Sequence, residues 1–310
     1  MKKSIILFIS VIFIVSCKQN SDVAPGSNVV RGFVTDQTSN DKNLTDAIVS
    51  GLNGIKSGFL NASTSLGIVT LTCATINYKE FGNTNTKTIT YSYDKPCSDS
   101  GVVKLGEIRV ILQNDSSFEA KDAVYTVEFK KFSITINGKS GIKDLDGTFT
   151  VTNTSGGNAW AQKLNPKNGV PRITVTELIK GQAKCLVSIA GEVISSQFAY
   201  KTTTYRDTLT WSMTLDGDTS VNEIKKVMAW GNGRDGITYY KTVTQPYSFT
   251  RTCGLFRPTS GKSTTTLVKG DGSKYSINAA SILNTTGCGS GFTLAVADDK
   301  KNTWNYTVGY

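Results

Sequence analysis

The chain has 310 residues and no histidine. That absence removes Ser-His-Asp and Cys-His nucleophile arrangements, HExxH zinc sites and any pH switch built on imidazole. Charge is also scarce, at 19% of residues, and proline occurs only 6 times. Glu, a usual surface residue of helices, is scarce, with only 7, while 40 Thr and 30 Ser are present. Threonine fits a half-buried pleated surface, so the composition predicts strands. No apolar run reaches the length of a membrane-spanning helix: the longest, residues 5–15, has eleven positions and contains Ser10.

That run follows Met1, Lys2 and Lys3 and reads as the core of a secretory signal. It leads into Ile14-Val15-Ser16-Cys17, which resembles a bacterial lipobox: aliphatic, aliphatic, small, then Cys. The resemblance implies cleavage before Cys17, a diacylglycerol thioether on its sulfur and acylation of the new amino group. Several acyl chains on one residue anchor stably, where one chain is marginal. The membrane partner is thus expected to be reached through Cys17. Because Lys18 follows, rather than Asp, the expected location is the outer membrane, lipid-anchored, with its periplasmic or surface face left open. Loss of residues 1–16 removes two Lys and no acid, lowering the formal charge from +10 to +8. The basic residues never cluster beyond Lys130-Lys131, Lys225-Lys226 and Lys300-Lys301, so no nucleic-acid partner is expected; isolated Lys on a strand more often guards an edge.

Residues 17–40 read as a polar, lipidated tether. In 41–60, Leu44, Ala47, Ile48, Gly51, Leu52 and Ile55 recur at helical spacing after Asp41 or Asn43, which predicts one short helix. From about Gly67 the period becomes two. Ile89, Tyr91 and Tyr93 alternate with hydroxyl residues, as do Tyr125, Val127 and Phe129, Ile134 and Ile136, and Phe149 and Val151. In 208–215, Leu209, Trp211, Met213 and Leu215 all fall on one face. Asn137-Gly138, Asp146-Gly147, Gly156-Gly157, Asp216-Gly217, Asp235-Gly236 and Asp271-Gly272 read as turns. The expected fold is mainly β, an antiparallel β-sandwich or stacked antiparallel sheets with one short N-terminal helix. A first β unit over 61–160 and a second over 170–310 flank a polar stretch containing Pro166.

Export permits disulfides. The preferred pairs are Cys73 with Cys97 and Cys253 with Cys288, each worth about 3 kcal/mol if unstrained. Cys185 is left over and reads as a buried strand thiol. Both pairs have loosely similar surroundings, as in Cys97-Ser98-Asp99-Ser100-Gly101 and Cys288-Gly289-Ser290-Gly291, consistent with two related modules. These stretches, with residues 104–110, 132–138, 147–153 and Arg257-Pro258-Thr259-Ser260-Gly261-Lys262, resemble a group of uncharacterised cell-envelope lipoproteins of Bacteroidota. The resemblance implies location and fold and transfers no catalytic residue.

The remaining motifs are weak. Gly261-Lys262-Ser263 imitates the end of a P-loop, but Phe256 stands where the first Gly is needed, and 264–268 reads as strand. Ser-x-x-Lys occurs at Ser39, Ser92 and Ser140, and about three matches arise by chance in this composition. Asp144, Asp146, Asp216, Asp218 and Asp271 sit in turn-like sequences rather than complete calcium loops. No metal centre, no cofactor and no catalytic residue is predicted. The best handle on binding is aromatic: Trp230, Asn232, Tyr239 and Tyr240 form a candidate ligand surface for a glycan or protein partner, with Trp160 and Tyr247 outside it. The leading expectation is a non-enzymatic structural, adhesive or assembly role. A glycan- or protein-binding lipoprotein is the alternative, and a two-carboxylate hydrolase stands last.

Overall fold

The computed structural model describes residues 70–309 apart from 72–73, 82–85, 100–101, 113–118, 137–138, 141–142, 158, 160–171, 187–192, 208–209, 234–235 and 254–256. Cys17, the tether, the expected helix at 41–60, Cys73 and Trp160 lie outside the described residues, as do the side chains of Cys97 and Cys185.

The described chain is mainly β and antiparallel. Its strands are β1 (Thr70–Leu71), β2 (Ala74–Phe81), β3 (Thr86–Asp99), β4 (Val102–Leu112), β5 (Ala123–Ile136), β6 (Lys139–Ser140), β7 (Lys143–Asn153), β8 (Ile173–Leu186) and β9 (Val193–Arg206). They continue with β10 (Trp211–Gly217), β11 (Thr219–Val221), β12 (Ile224–Asn232), β13 (Thr238–Thr250), β14 (Ser260–Val268), β15 (Lys274–Leu283), β16 (Gly289–Asp298) and β17 (Thr303–Gly309). The pairings trace one meander in which nearly every strand lies beside its neighbour in sequence. β2 through β5 pair in turn, then β7, β8 and β9. The register between β7 and β8 carries the sheet directly past the polar stretch at 160–170.

One lane is shared. The far edge of β9 holds β12 against its first half and β10 against its second, and β13 then pairs with both. Fourteen- and thirteen-residue strands at β9 and β13 make this arrangement geometrically available to two shorter strands. The hairpins β13 to β17 complete the sheet.

Period-two alternation fixes the faces. Tyr125, Val127, Phe149, Val151, Ile179 and Phe198 point to the buried face, joined by Tyr239, Leu267, Ile277, Leu294 and Val296, in one cluster running from β3 to β16. Phe129, Phe149 and Phe198 stack along it at centroid separations of 5.7 and 6.0 Å, contacts worth about 0.5–1.5 kcal/mol each beyond their area. The opposite face is open and carries Thr, Ser, Asn, Gln, Lys and Arg. A membrane barrel places its apolar residues outward; here the apolar set is the buried one.

Two sequence features have local explanations that alternation alone does not supply. The register shifts between Phe129 and Phe132, and both rings are buried, so Lys130 and Lys131 form a bulge between them. Lys131 has φ 46°, Lys226 has φ 57° and Lys301 has φ 65°. Each lysine doublet therefore marks a bulge or turn, where two successive polar residues reach water without exposing the apolar set. The dipeptides Asp146-Gly147 and Asp216-Gly217 lie within β7 and β10 rather than at hairpin tips. A Cβ on Gly217 would stand 2.1 Å from the Lys226 carbonyl oxygen, so this glycine is required by close backbone approach. The tight turn after β11 is instead Asn222-Glu223, with φ of 49° and 67°.

Candidate functional site

Three of the four expected surface residues share the open face. Trp230 on β12 is the direct cross-strand partner of Tyr240 on β13, and both are half-buried. Asn232 is exposed two residues along the same strand, and the Thr238 hydroxyl donates to its Oδ1 at 3.4 Å. Asn222, in the β11–β12 turn, donates from Nδ2 to the Tyr240 hydroxyl at 2.9 Å. The turn is thereby latched over the ring and orients it.

Tyr239 does not belong to this surface. It precedes Tyr240 and so lies on the opposite side of the pleat, is 0% exposed, and donates its hydroxyl to Ser196 Oγ at 2.7 Å. Adjacent residues of one strand cannot both face the same ligand. Tyr247 is likewise buried and donates to Ser263 Oγ at 2.8 Å. This contact explains Gly261-Lys262-Ser263: Ser263 receives the tyrosine hydroxyl, and Gly261 lies beneath the Tyr247 ring, where a Cβ would come within 2.1 Å of it.

The aromatic pair sits in a register row that crosses much of the open face. From β4 it runs Arg109, Glu128, Thr148, Gln182, Gln197, Trp230, Tyr240, Thr266, Ser276 and Ala297. Side chains are long and charged or amidic on one side of the pair and short on the other. Beyond Tyr240 the open face carries a wide, open depression of about 510 Å³ across β14 to β17, lined mostly by exposed side chains. Its rows are Thr264, Asn278, Ala295, Asn305 and Lys262, Ala280, Thr293, Thr307. The Thr264 hydroxyl donates to Asn278 Oδ1 at 2.7 Å, which leaves the Asn278 amide protons directed away from that bond. Sequence reasoning missed this depression because Thr, Asn and Ala at alternate positions look like any wet strand face. The available signal was the shortage of charge, since Lys262 is the one charged side chain in the two rows.

The acids are engaged elsewhere. Arg109 contacts Glu107 at 3.0 Å and Glu128 at 3.5 Å on the open face. Asp216 pairs with Lys226 at 3.5 Å and Asp218 with Lys180 at 3.3 Å, while Asp146 accepts the Lys131 amide at 2.8 Å. These contacts account for the calcium-like spacings by ion pairs and bulge geometry. Among the described residues, no group of three or more Cys, Asp or Glu side chains is placed to hold a metal.

On the buried side, Tyr125 donates to Glu177 Oε1 at 3.0 Å. Burial, followed by the Glu177 charge, pushes the Tyr125 and Tyr200 hydroxyls well above the usual phenol range, so both stay protonated, Tyr125 as the donor to Glu177. Burial alone raises Tyr93 to about 12. These groups stabilise the interior and face no opening described above.

Cys253 and Cys288 are disulfide-bonded, with Cα atoms 5.2 Å apart. The bond ties the β13–β14 connection to the β15–β16 connection, at the same end of neighbouring hairpins. No protein-family model, curated protein or solved structure matches this chain.

Proposed function

We propose that this chain is a lipid-anchored outer-membrane protein of the cell envelope, with a non-enzymatic structural, adhesive or assembly role. The anchor rests on Ile14-Val15-Ser16-Cys17 behind a short apolar run. The observation that carries the role is the division of the sheet: one face is core, and the other offers a broad open surface of hydroxyl, amide and ammonium groups. Such a surface suits contact with an extended partner. The resemblance to Bacteroidota envelope lipoproteins points the same way.

The direct test is membrane fractionation of cells producing the wild type and Cys17→Ala, with protease shaving of intact cells. Wild-type protein is expected in the outer-membrane fraction, and the variant in the soluble fraction. A variant that stays membrane-bound removes the lipid-anchor reading, while shaving distinguishes the surface from the periplasmic face.

A second reading, a glycan- or protein-binding lipoprotein, is favoured by one observation: Trp230 and Tyr240 are cross-strand neighbours on the open face, beside Gln197 and Thr266. Half-buried aromatic rings held between hydrogen-bonding side chains provide both an apolar platform and polar edges. Trp230→Ala is expected to weaken partner binding while leaving fractionation unchanged.

A further inference from the structure

The depression over β14 to β17 has a chemistry of its own. We propose that it is a binding site for a neutral oligosaccharide, an inference that rests on the second reading in taking the open face as the binding face.

The first ground is shape. Its volume, about 510 Å³, falls within the roughly 300–1,000 Å³ of small-molecule sites. Residues on the open face form a grid with spacings of about 4.8 Å between strands and 6.8 Å along them. The grid is set by backbone ladders on both sides of β14, β15 and β16, so it is preorganised. Little ordering is left to be done on binding.

The second ground is the lining. Ala280, Ala295 and the threonine methyls alternate with the Thr293 and Thr307 hydroxyls and the Asn278 and Asn305 carboxamides. Hydroxyl and carboxamide groups each donate and accept hydrogen bonds. A sugar ring is matched to such a surface because its hydroxyls also do both, while its C–H faces are apolar. Asn305 and Thr307 are exposed and make no side-chain hydrogen bond among the described residues, so they are available to a ligand. Tyr240 extends the same surface: its partner Thr266 lies two residues from Thr264 on β14, which sets the ring diagonal to the cleft at about 7–8 Å.

The third ground is charge. The chain carries 34 Lys and Arg, yet the two cleft rows contain only Lys262 and no carboxylate. Nucleic acids and sulfated chains are held by several cations at once, which this surface does not supply. Peptides are typically captured by a free strand edge, an apolar groove or an arginine cluster. The cleft lies on the sheet face, inward of the outer edge of β17, which pairs only with β16 among the described residues; it carries no arginine, and Thr, Asn and Lys side chains interrupt its apolar area. A neutral, polyhydroxylated chain, with both hydroxyls and apolar C–H faces, is complementary to such a lining.

The test is calorimetric titration of the full-length chain, in a detergent without a sugar headgroup, against cellohexaose, maltohexaose and hexa-N-acetylchitohexaose. A heparin hexasaccharide serves as the polyanionic comparison. At least one neutral hexamer is expected to bind. The Asn278→Ala/Asn305→Ala double variant should weaken it about tenfold, the effect of losing two modest hydrogen bonds. Ala295→Tyr, which fills the cleft at an exposed strand position, should abolish binding. Thr148→Tyr, on the open face outside the cleft, should leave it unchanged, and circular dichroism with melting curves reports the folding of every variant. Absence of binding by all three neutral hexamers at millimolar concentration overturns the proposal, as does tighter binding of the heparin probe. Binding that survives both folded cleft variants but is lost in Trp230→Ala overturns the cleft while leaving the aromatic-pair reading in place. Binding lost in the cleft variants and retained in Trp230→Ala supports the cleft independently of the pair.

Discussion

The two halves of the sheet use the same alternation and reach different surfaces. From β4 to β9 the open face carries Arg109, Glu128, Lys180, Gln182, Lys184 and Lys201, with ion pairs reaching between strands. Beneath it the buried face is an aromatic stack built on Phe129, Phe149 and Phe198. From β14 to β17 the open face is short-chained apart from Lys262, and the interior joins Leu267, Ile277, Leu294 and Val296 to Tyr275, Phe292, Trp304 and Tyr306, with the Cys253–Cys288 bond nearby. Long charged side chains fill the space over a sheet and solvate it. Short ones leave the depression over β14 to β17 unfilled. Stability and recognition are therefore distributed differently: both halves bury large rings, but the second adds a covalent tie and leaves its open face short-chained.

The strongest way to break this contrast is Phe149→Ala. The ring is 2% exposed and touches both neighbouring phenylalanines, so the loss is expected at about 3–5 kcal/mol, read as a lower urea midpoint. An equal loss from truncating an open-face residue would remove the distinction between the faces. Next in size is Cys253→Ser with Cys288→Ser. The bond spans a sequence separation of 35, and loop closure of that length is worth about 3–4 kcal/mol, seen as a fall in Tm that reductant reproduces in the wild type. A wild type whose Tm ignores reductant would show that the tie does not carry the second half.

Arg109→Ala is expected to cost about 0.5–1 kcal/mol at most, because its pairs with Glu107 and Glu128 are solvent-screened, with the Arg109 side chain 41% exposed. Added salt should reduce the difference further. The smallest effect lies in the β14–β15 turn, where the Ser273 hydroxyl and then its backbone amide lower Asp271 from 3.8 to about 2. A depressed carboxyl contributes stability that is present above its unfolded pKa and is lost as pH falls through the folded value. The window is thus pH 4 to 2, and an NMR titration should show Ser273→Ala moving the Asp271 midpoint up toward 3.8.

Much of the architecture was legible in the residues. Tyr125, Val127 and Phe129, and Phe149 and Val151, are strand positions on the buried face, as their alternation predicts. The Cys253–Cys288 pair is formed as expected. The candidate surface was legible in part: Trp230, Asn232 and Tyr240 share a face, while Tyr239, one residue from Tyr240, is turned by the period of two to the buried side. The turns were less secure, since glycine serves both hairpin tips and close strand contacts, and only the neighbouring backbone decides between them, as Gly217 against Lys226 shows. The lysine doublets carried a bulge signal that charge reasoning passed over.

The sequence by itself determined the strand period, the polarity of each face and the absence of imidazole chemistry, because these depend on residues two apart or on composition alone. Tertiary structure decided which polar residues meet. Asn278, Ala295 and Asn305 lie on three strands and become neighbours only through register. Register is set by hairpin geometry and bulges summed over the sheet, and a one-residue slip would turn every one of them to the other face.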